Sequence, residues 1–157
     1  GFQQTLEHVL VLSTFIPLII SSGGNSGSQA ATLIIQAMAL GEITVKDWWS
    51  IARREIISGL IMGVTLGIIG YLIVFGGHEF FDLFGEHFRR VGMAIGVSLV
   101  GVVLWGTLMG SMLPLLLKRL GADPATSSTP FIATLVDVTG LLIYFGTAYW
   151  LLKGILL

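Results

Sequence analysis

Four apolar stretches of this chain are each long enough to cross a lipid bilayer. A spanning helix needs about 20 apolar residues to cross roughly 30 Å of hydrocarbon, and all of its backbone polar groups must be bonded internally. The chain is 54% hydrophobic and 11% charged, and its mean hydropathy is +0.91. The short alternating pattern of a membrane barrel is missing. These features predict an all-α integral membrane protein, a polytopic helical bundle that forms one transmembrane domain over residues 1–157. We expect helices at about 5–40, 56–75, 91–117 and 130–157.

Charge and cysteine content exclude several classes of function. The net charge is -1 with the basic residues scattered, which gives no basic footprint for nucleic acid. The chain has no cysteine, which excludes disulfides, thiolate metal sites and thiol nucleophiles. The expected surroundings are a lipid bilayer, with the chain crossing the inner (plasma) membrane several times.

The first predicted helix contains a segment rich in glycine and serine. Apolar residues from Leu6 to Ile20 lead into Ser21–Gln29, and apolar character resumes from Ala30 to Leu40. Glycine and serine weaken a membrane helix where neighbours can bond its backbone. The sequence therefore predicts an interrupted helix over 5–40.

Lys and Arg in short loops indicate orientation, because they are retained on the cytoplasmic side. Lys46, Arg53 and Arg54 lie between the first and second helices, and Lys118 and Arg119 follow the third. Only Arg89 and Arg90 lie between the second and third. Both ends of the chain are then predicted outside, and one more helix upstream would start the protein in the cytoplasm. We therefore expect an upstream helix that this chain lacks.

Glycines recur at helical spacing in the second and third predicted helices. Small residues four apart allow close helix approach, so they predict either a tight bundle or a dimer face, although membrane helices are rich in glycine generally. The glycines concerned are Gly59, Gly63, Gly67, Gly70, Gly92, Gly96, Gly106 and Gly110.

Asp137 lies inside the fourth apolar stretch. An ionised carboxylate near mid-bilayer costs roughly 3 kcal/mol, so such residues usually mark an ion or proton path. Its position, some eight residues into a helix, corresponds to a depth of about 12 Å from the cytoplasmic side, where the Ser21–Gln29 segment can also lie. The structural alternative is a carboxylate bonded only to Thr134, Thr139 or a neighbouring helix.

A hydrated divalent cation fits this combination of side chains. Magnesium usually binds through one or two carboxylates and keeps several waters. One Asp137 supplies too little charge, but a twofold homodimer would bring two carboxylates to one ion. We therefore predict a pore at a homodimer interface, with Asp137 as metal ligand. The pore-lining candidates are Gly24, Asn25, Gly27, Gln29, Thr134 and Gly140.

Two motifs together resemble the MgtE family of magnesium channels. One is Gly24-Asn25-Ser26-Gly27-Ser28-Gln29 followed by Ala31-Thr32-Leu33; the other comprises Asp123-Pro124-Ala125, Ser128, Pro130, Thr134, Asp137 and Gly140. The resemblance covers nearly the whole chain and implies the second through fifth helices of a five-helix membrane domain. It implies a homodimeric pore that conducts Mg²⁺ into the cytoplasm, the transported ion being held by Asp137 and the backbone carbonyl of Ala133. Family members typically carry upstream cytoplasmic regulatory domains, which are absent here, so their gating does not carry over.

Three other functions are weighed against this one. A secondary transporter or exchanger of divalent cations would also place a polar site at an interrupted helix. An enzyme is not expected: Ser26 matches a rhomboid-like Gly-x-Ser-Gly pattern but has no histidine at its depth, and an aspartyl protease needs a second carboxylate beside Asp137. A non-conducting packing subunit remains if Asp137 is structural.

Overall fold

The chain folds into four long helices in a computed structural model that describes residues 10–125 and 129–153. The helices are α1 (Ile16–Ala39), α2 (Trp48–Phe81), α3 (Phe88–Arg119) and α4 (Thr129–Leu152). Within the described ranges all four are long and apolar enough to cross a membrane. The predicted all-α polytopic bundle is confirmed. The predicted helical residues 5–9 and 154–157 lie outside the described ranges.

The predicted interruption of the first helix at Ser21–Gln29 is wrong, because α1 is continuous from Ile16 to Ala39. The serine hydroxyls do not divert the backbone. Ser22 Oγ donates to the Leu18 carbonyl and Ser26 Oγ donates to the Ser22 carbonyl, both at 2.7 Å. Each of these bonds runs back four residues along an intact helix. The glycines of this segment serve helix contacts instead of a break.

The actual break lies earlier, at Phe15, which separates a helical turn over residues 10–14 from α1. Pro17 contributes to it, since a proline has no N–H for the carbonyl four residues back and is favoured in the first turn of a helix, where it lies in α1. The Leu12 carbonyl accepts the Phe15 N–H at 3.2 Å and also the buried Tyr144 hydroxyl of α4 at 2.7 Å. The hydrogen bond from Tyr144 thus holds the chain at this break against α4.

The second and third helices extend beyond their predicted limits of 56–75 and 91–117. A capping box at Thr44, in which Asp47 accepts the Thr44 N–H, starts a short 3-10 turn over Val45–Asp47 that leads directly into α2. Asp82 ends α2 in the left-handed conformation with a φ of 51°. Local capping thus adds polar turns that hydropathy does not reveal.

Helix α3 is central and packs against each of the other three helices. Its contacts with α2 run along glycines: a Cβ added at Gly67 would lie 2.7 Å from the Gly96 carbonyl oxygen, and one at Gly63 would lie 3.0 Å from Val100 Cα. The predicted small-residue pattern therefore builds the bundle within one chain. On its other side α2 exposes a row of aliphatic side chains, which are Ile57, Ile61, Val64, Ile68 and Leu72.

Candidate cation site

Asp137 lies against Gly24, where α4 meets α1. It is eight residues after Thr129, a depth of about 12 Å along the helix. A Cβ at position 24 would collide with Asp137 Oδ1 and would lie 3.4 Å from its Cγ. A residue with a side chain at position 24 would therefore displace the Asp137 carboxylate, whereas glycine leaves room for it. The structure thus brings together the two sequence features that were predicted to share one site.

Within the described residues, Asp137 Oδ1 is buried and has no hydrogen-bond partner. The side chains that could have bonded it are occupied elsewhere. Thr134 Oγ1 donates to the Pro130 carbonyl at 3.0 Å, and Thr139 Oγ1 donates to the Leu135 carbonyl at 2.7 Å. The structural alternative is a carboxylate bonded to Thr134, Thr139 or a neighbouring helix, and Oδ1 makes none of these bonds with the described residues. A buried carboxylate oxygen with no donor is costly unless a ligand or water satisfies it.

Helix α1 carries a row of polar side chains on its outward face, beside Gly24. We call this row, Ser21, Asn25, Ser28, Gln29 and Thr32, the polar stripe. Asn25 and Gln29 are exposed, and Asn25 Nδ2 donates to Ser21 Oγ at 3.2 Å. On α4, the exposed Thr134 and the half-buried Ala133 lie one turn before Asp137. Polar groups in a spanning helix normally face protein or water and avoid lipid.

Gly27 and Gly140, predicted to line a pore, lie inside the bundle against α3. A Cβ at Gly27 would lie 3.1 Å from the Gly106 carbonyl oxygen, and one at Gly140 would lie 3.2 Å from Val102 Cγ1. The fold gives these two glycines a packing role. They hold α1 and α4 close to α3, which sets the position of Gly24 and Asp137.

Two residues that position the site escaped the sequence-based prediction. Trp105 Nε1 on α3 donates at 2.8 Å to Oγ1 of Thr139, which lies two residues after Asp137 on α4. Gly23 contacts Val102 of α3 and Val136 of α4. The signals were present: a tryptophan inside an apolar helix needs a partner for its N–H, and Gly23 and Gly27 form a small-xxx-small pair.

The metal-ligating side chains of the described ranges do not cluster: no group of three or more His, Cys, Asp or Glu could hold an ion there. One chain therefore offers the cation a single carboxylate, neutral oxygens of the polar stripe and backbone carbonyls. Such a sparse set suits an ion that keeps most of its water.

Comparison with known proteins decides the family. Residues 16–147 match MgtE, described as a divalent cation transporter. The chain belongs to the MgtE family. It is 43% identical over 155 residues to the magnesium transporter MgtE of Thermus thermophilus, an alignment that covers 99% of this chain and 32% of that protein. It is 30% identical over 148 residues to the magnesium transporter MgtE of Enterococcus faecalis, covering 94% of this chain and 31% of that protein.

The chain thus spans about a third of the length of these MgtE relatives. The matched residues begin in α1 and end within α4, so they include both Gly24 and Asp137. Family membership and the four long apolar helices make this chain a multi-pass protein of the plasma membrane. The predicted family and localisation are confirmed.

Proposed function

We propose that this chain is the ion-conducting membrane part of a magnesium transporter. One observation carries the proposal: the Asp137 carboxylate occupies the space where a Cβ at Gly24 would be, and its buried Oδ1 is bonded by no described residue. A buried carboxylate oxygen without a donor calls for a cation or ordered water. The names of the MgtE relatives, which are magnesium transporters, supply the expected ion.

The proposed pore lies between two copies of the chain. The polar stripe and Thr134 are exposed on a helix face that would otherwise meet lipid, so another protein surface or a water-filled path is needed there. A second copy related by a twofold axis would cover the stripe and add a second Asp137. Two carboxylates then balance one Mg²⁺, which keeps most of its water and lies near the Ala133 carbonyl oxygen.

The hydrogen bond of the Ser26 hydroxyl favours transport over catalysis. Ser26 is buried and its Oγ donates to the Ser22 carbonyl at 2.7 Å, so this hydroxyl is bonded within its own helix and is not available as a nucleophile.

The uncoupled channel and the coupled exchanger differ in one measurable respect. A channel passes current without an opposing gradient, whereas an exchanger depends on a sodium or proton gradient.

The test is magnesium uptake into proteoliposomes by the wild-type chain and by Asp137→Asn, which keeps the shape and removes the charge. A charge-assisted hydrogen bond from the ion's water to each carboxylate is worth about 1.5–3 kcal/mol, so its loss in two copies predicts a fall in uptake of roughly a hundredfold or more. Thermal unfolding of the variant should match the wild type, because no hydrogen bond to Oδ1 is lost within the described residues. Equal uptake by both proteins would refute the role of Asp137.

A further inference from the structure

Two adjoining cavities meet beside Arg119, at the end of the bundle that carries Lys46 and the last turn of α3. The first has a volume of about 270 Å³ and an apolar lining except at its mouth. The second, of about 420 Å³, shares Val45, Trp48 and Arg119 with the first and adds Lys46. Neither is lined by Asp137 or by the polar stripe, so this pair of cavities is separate from the cation site.

The apolar cavity has the form expected for a hydrocarbon chain. Its α3 lining extends from Met109 to Arg119, ten residues or about 15 Å, which is half of the roughly 30 Å hydrocarbon thickness. An apolar cavity of about 150 Å³ already stays dry and takes up an apolar molecule. The α3 side chains that line it below Arg119 are Met109, Met112, Leu113, Leu115 and Leu116.

The mouth of the cavities carries two cations that have no ion-pair partner among the described residues. Lys46 and Arg119 are exposed, and neither forms an ion pair with any described residue. The neighbouring Asp47 forms no ion pair with either cation, and its Oδ2 accepts the Thr44 N–H at 2.7 Å and the Thr44 hydroxyl at 3.1 Å. A pair of unneutralised cations above an apolar cavity is complementary to an anionic headgroup above an acyl chain.

Two tryptophans place this mouth at the level of the membrane surface. Trp48 and Trp49 are adjacent and more than half exposed, with their ring centroids 5.6 Å apart. Tryptophan is enriched where hydrocarbon meets headgroups, and basic loops mark the cytoplasmic side, whose leaflet is anionic. The cavities therefore open where anionic lipid is concentrated.

We propose that these cavities bind one anionic phospholipid of the cytoplasmic leaflet. Its phosphate lies between Lys46 and Arg119, and one acyl chain follows α3 toward Met109. A lipid fits better than a soluble anion because the apolar cavity continues beneath the charges to the middle of the bilayer. It fits better than a protein segment because two neighbouring cations directly above one apolar cavity match the phosphate and the acyl chain of a single lipid molecule.

Native mass spectrometry of the full chain in detergent tests the headgroup part, with phosphatidylglycerol and phosphatidylcholine of identical acyl chains as probes. We expect the wild type to retain one phosphatidylglycerol more tightly than phosphatidylcholine. The double variant Lys46→Gln/Arg119→Gln should bind it roughly thirtyfold more weakly, at about 1 kcal/mol per basic residue. The matched control Arg89→Gln/Arg90→Gln, at the opposite end of the bundle, should bind as the wild type does.

A second variant tests the acyl-chain part. Leu116 is half exposed, so Leu116→Trp can fill the cavity without disturbing the core, and it should also release phosphatidylglycerol. Soluble glycerophosphoglycerol should not compete with the lipid. Equal retention of both lipids, unchanged binding in either test variant, competition by the soluble headgroup, or no retained lipid would each overturn the proposal.

Discussion

At the scale of single residues, the site depends on one missing side chain and on one carboxylate oxygen that no described residue bonds. Gly24 has no Cβ, and the Asp137 carboxylate occupies the space where a Cβ would be. Thr134 and Thr139 donate to carbonyls of their own helix, and Asp137 Oδ1 has no hydrogen-bond partner within the described ranges. The sequence indicates Asp137 as a functional candidate because a charge in an apolar span is costly. Whether its Oδ1 has a hydrogen-bond partner depends on the directions of the neighbouring side chains, which the sequence does not give.

Gly24→Ala should lower magnesium uptake about tenfold or more while the chain stays folded. The new methyl group would force Asp137 Oδ1 aside, and about 1.4 kcal/mol of lost ion stabilisation is tenfold. Alanine also improves helix propensity by roughly 1 kcal/mol, which favours folding. Uptake and thermal unfolding are measured together. The matched control is Gly146→Ala in α4, where a Cβ meets nothing within 4 Å; a similar fall in the control would contradict the interpretation.

At the scale of helices, glycines decide how closely the elements approach. Helices α1 and α3 cross where Gly23 and Gly27 meet Gly106 and Gly110, and α2 meets α3 along Gly63 and other small residues. Without a hydrophobic force between helices in lipid, such close packing supplies much of the attraction. The glycines of Ser21–Gln29, from which the sequence predicts a helix break, therefore stabilise the contact between α1 and α3.

Gly110→Ala should destabilise the bundle, because its Cβ would lie 2.8 Å from the Gly27 carbonyl carbon and 2.9 Å from Gly27 Cα. Backbone atoms cannot turn away as a flexible side chain can, so the helices must separate. Overpacking of this kind costs about 1–3 kcal/mol. Thermal unfolding in lipid nanodiscs should show a transition lowered by several degrees. Gly76→Ala in α2 meets no neighbour and should unfold like the wild type; equal midpoints for all three proteins would refute this role of Gly110.

At the scale of the whole molecule, the outer surface divides into unlike faces. Helix α2 turns aliphatic side chains such as Ile61 and Ile68 outward, as expected toward lipid. The α1–α4 seam instead exposes the polar stripe and Thr134. The glycine rows are used within one chain, so the proposed twofold partner belongs at this polar seam.

Single-cysteine cross-linking checks that assembly, since the chain has no cysteine of its own. Thr134→Cys should yield a covalent dimer with a short bismaleimide in membranes, because two copies of Thr134 would face one narrow pore. Ile69→Cys, on the exposed side of α2, should remain monomeric on denaturing gels. Efficient dimer formation by Ile69→Cys alone would move the interface to α2.

The sequence by itself determined the class of the protein and its four apolar helices, and it singled out Asp137 as the centre of a candidate site. Those follow from local properties: hydropathy over about 20 residues, charge in loops, and the cost of Asp137 in an apolar span. It failed at Ser21–Gln29, where composition predicted a break and the helix is continuous.

Only the tertiary structure decided which glycines face which helix, and that Gly24 rather than another residue meets Asp137. It also revealed the bonds from Trp105 to Thr139 and from Tyr144 to Leu12. The physical reason is distance along the chain. Helix crossings join residues more than a hundred positions apart, and their geometry depends on all of the side chains at the contact, so no local pattern records it.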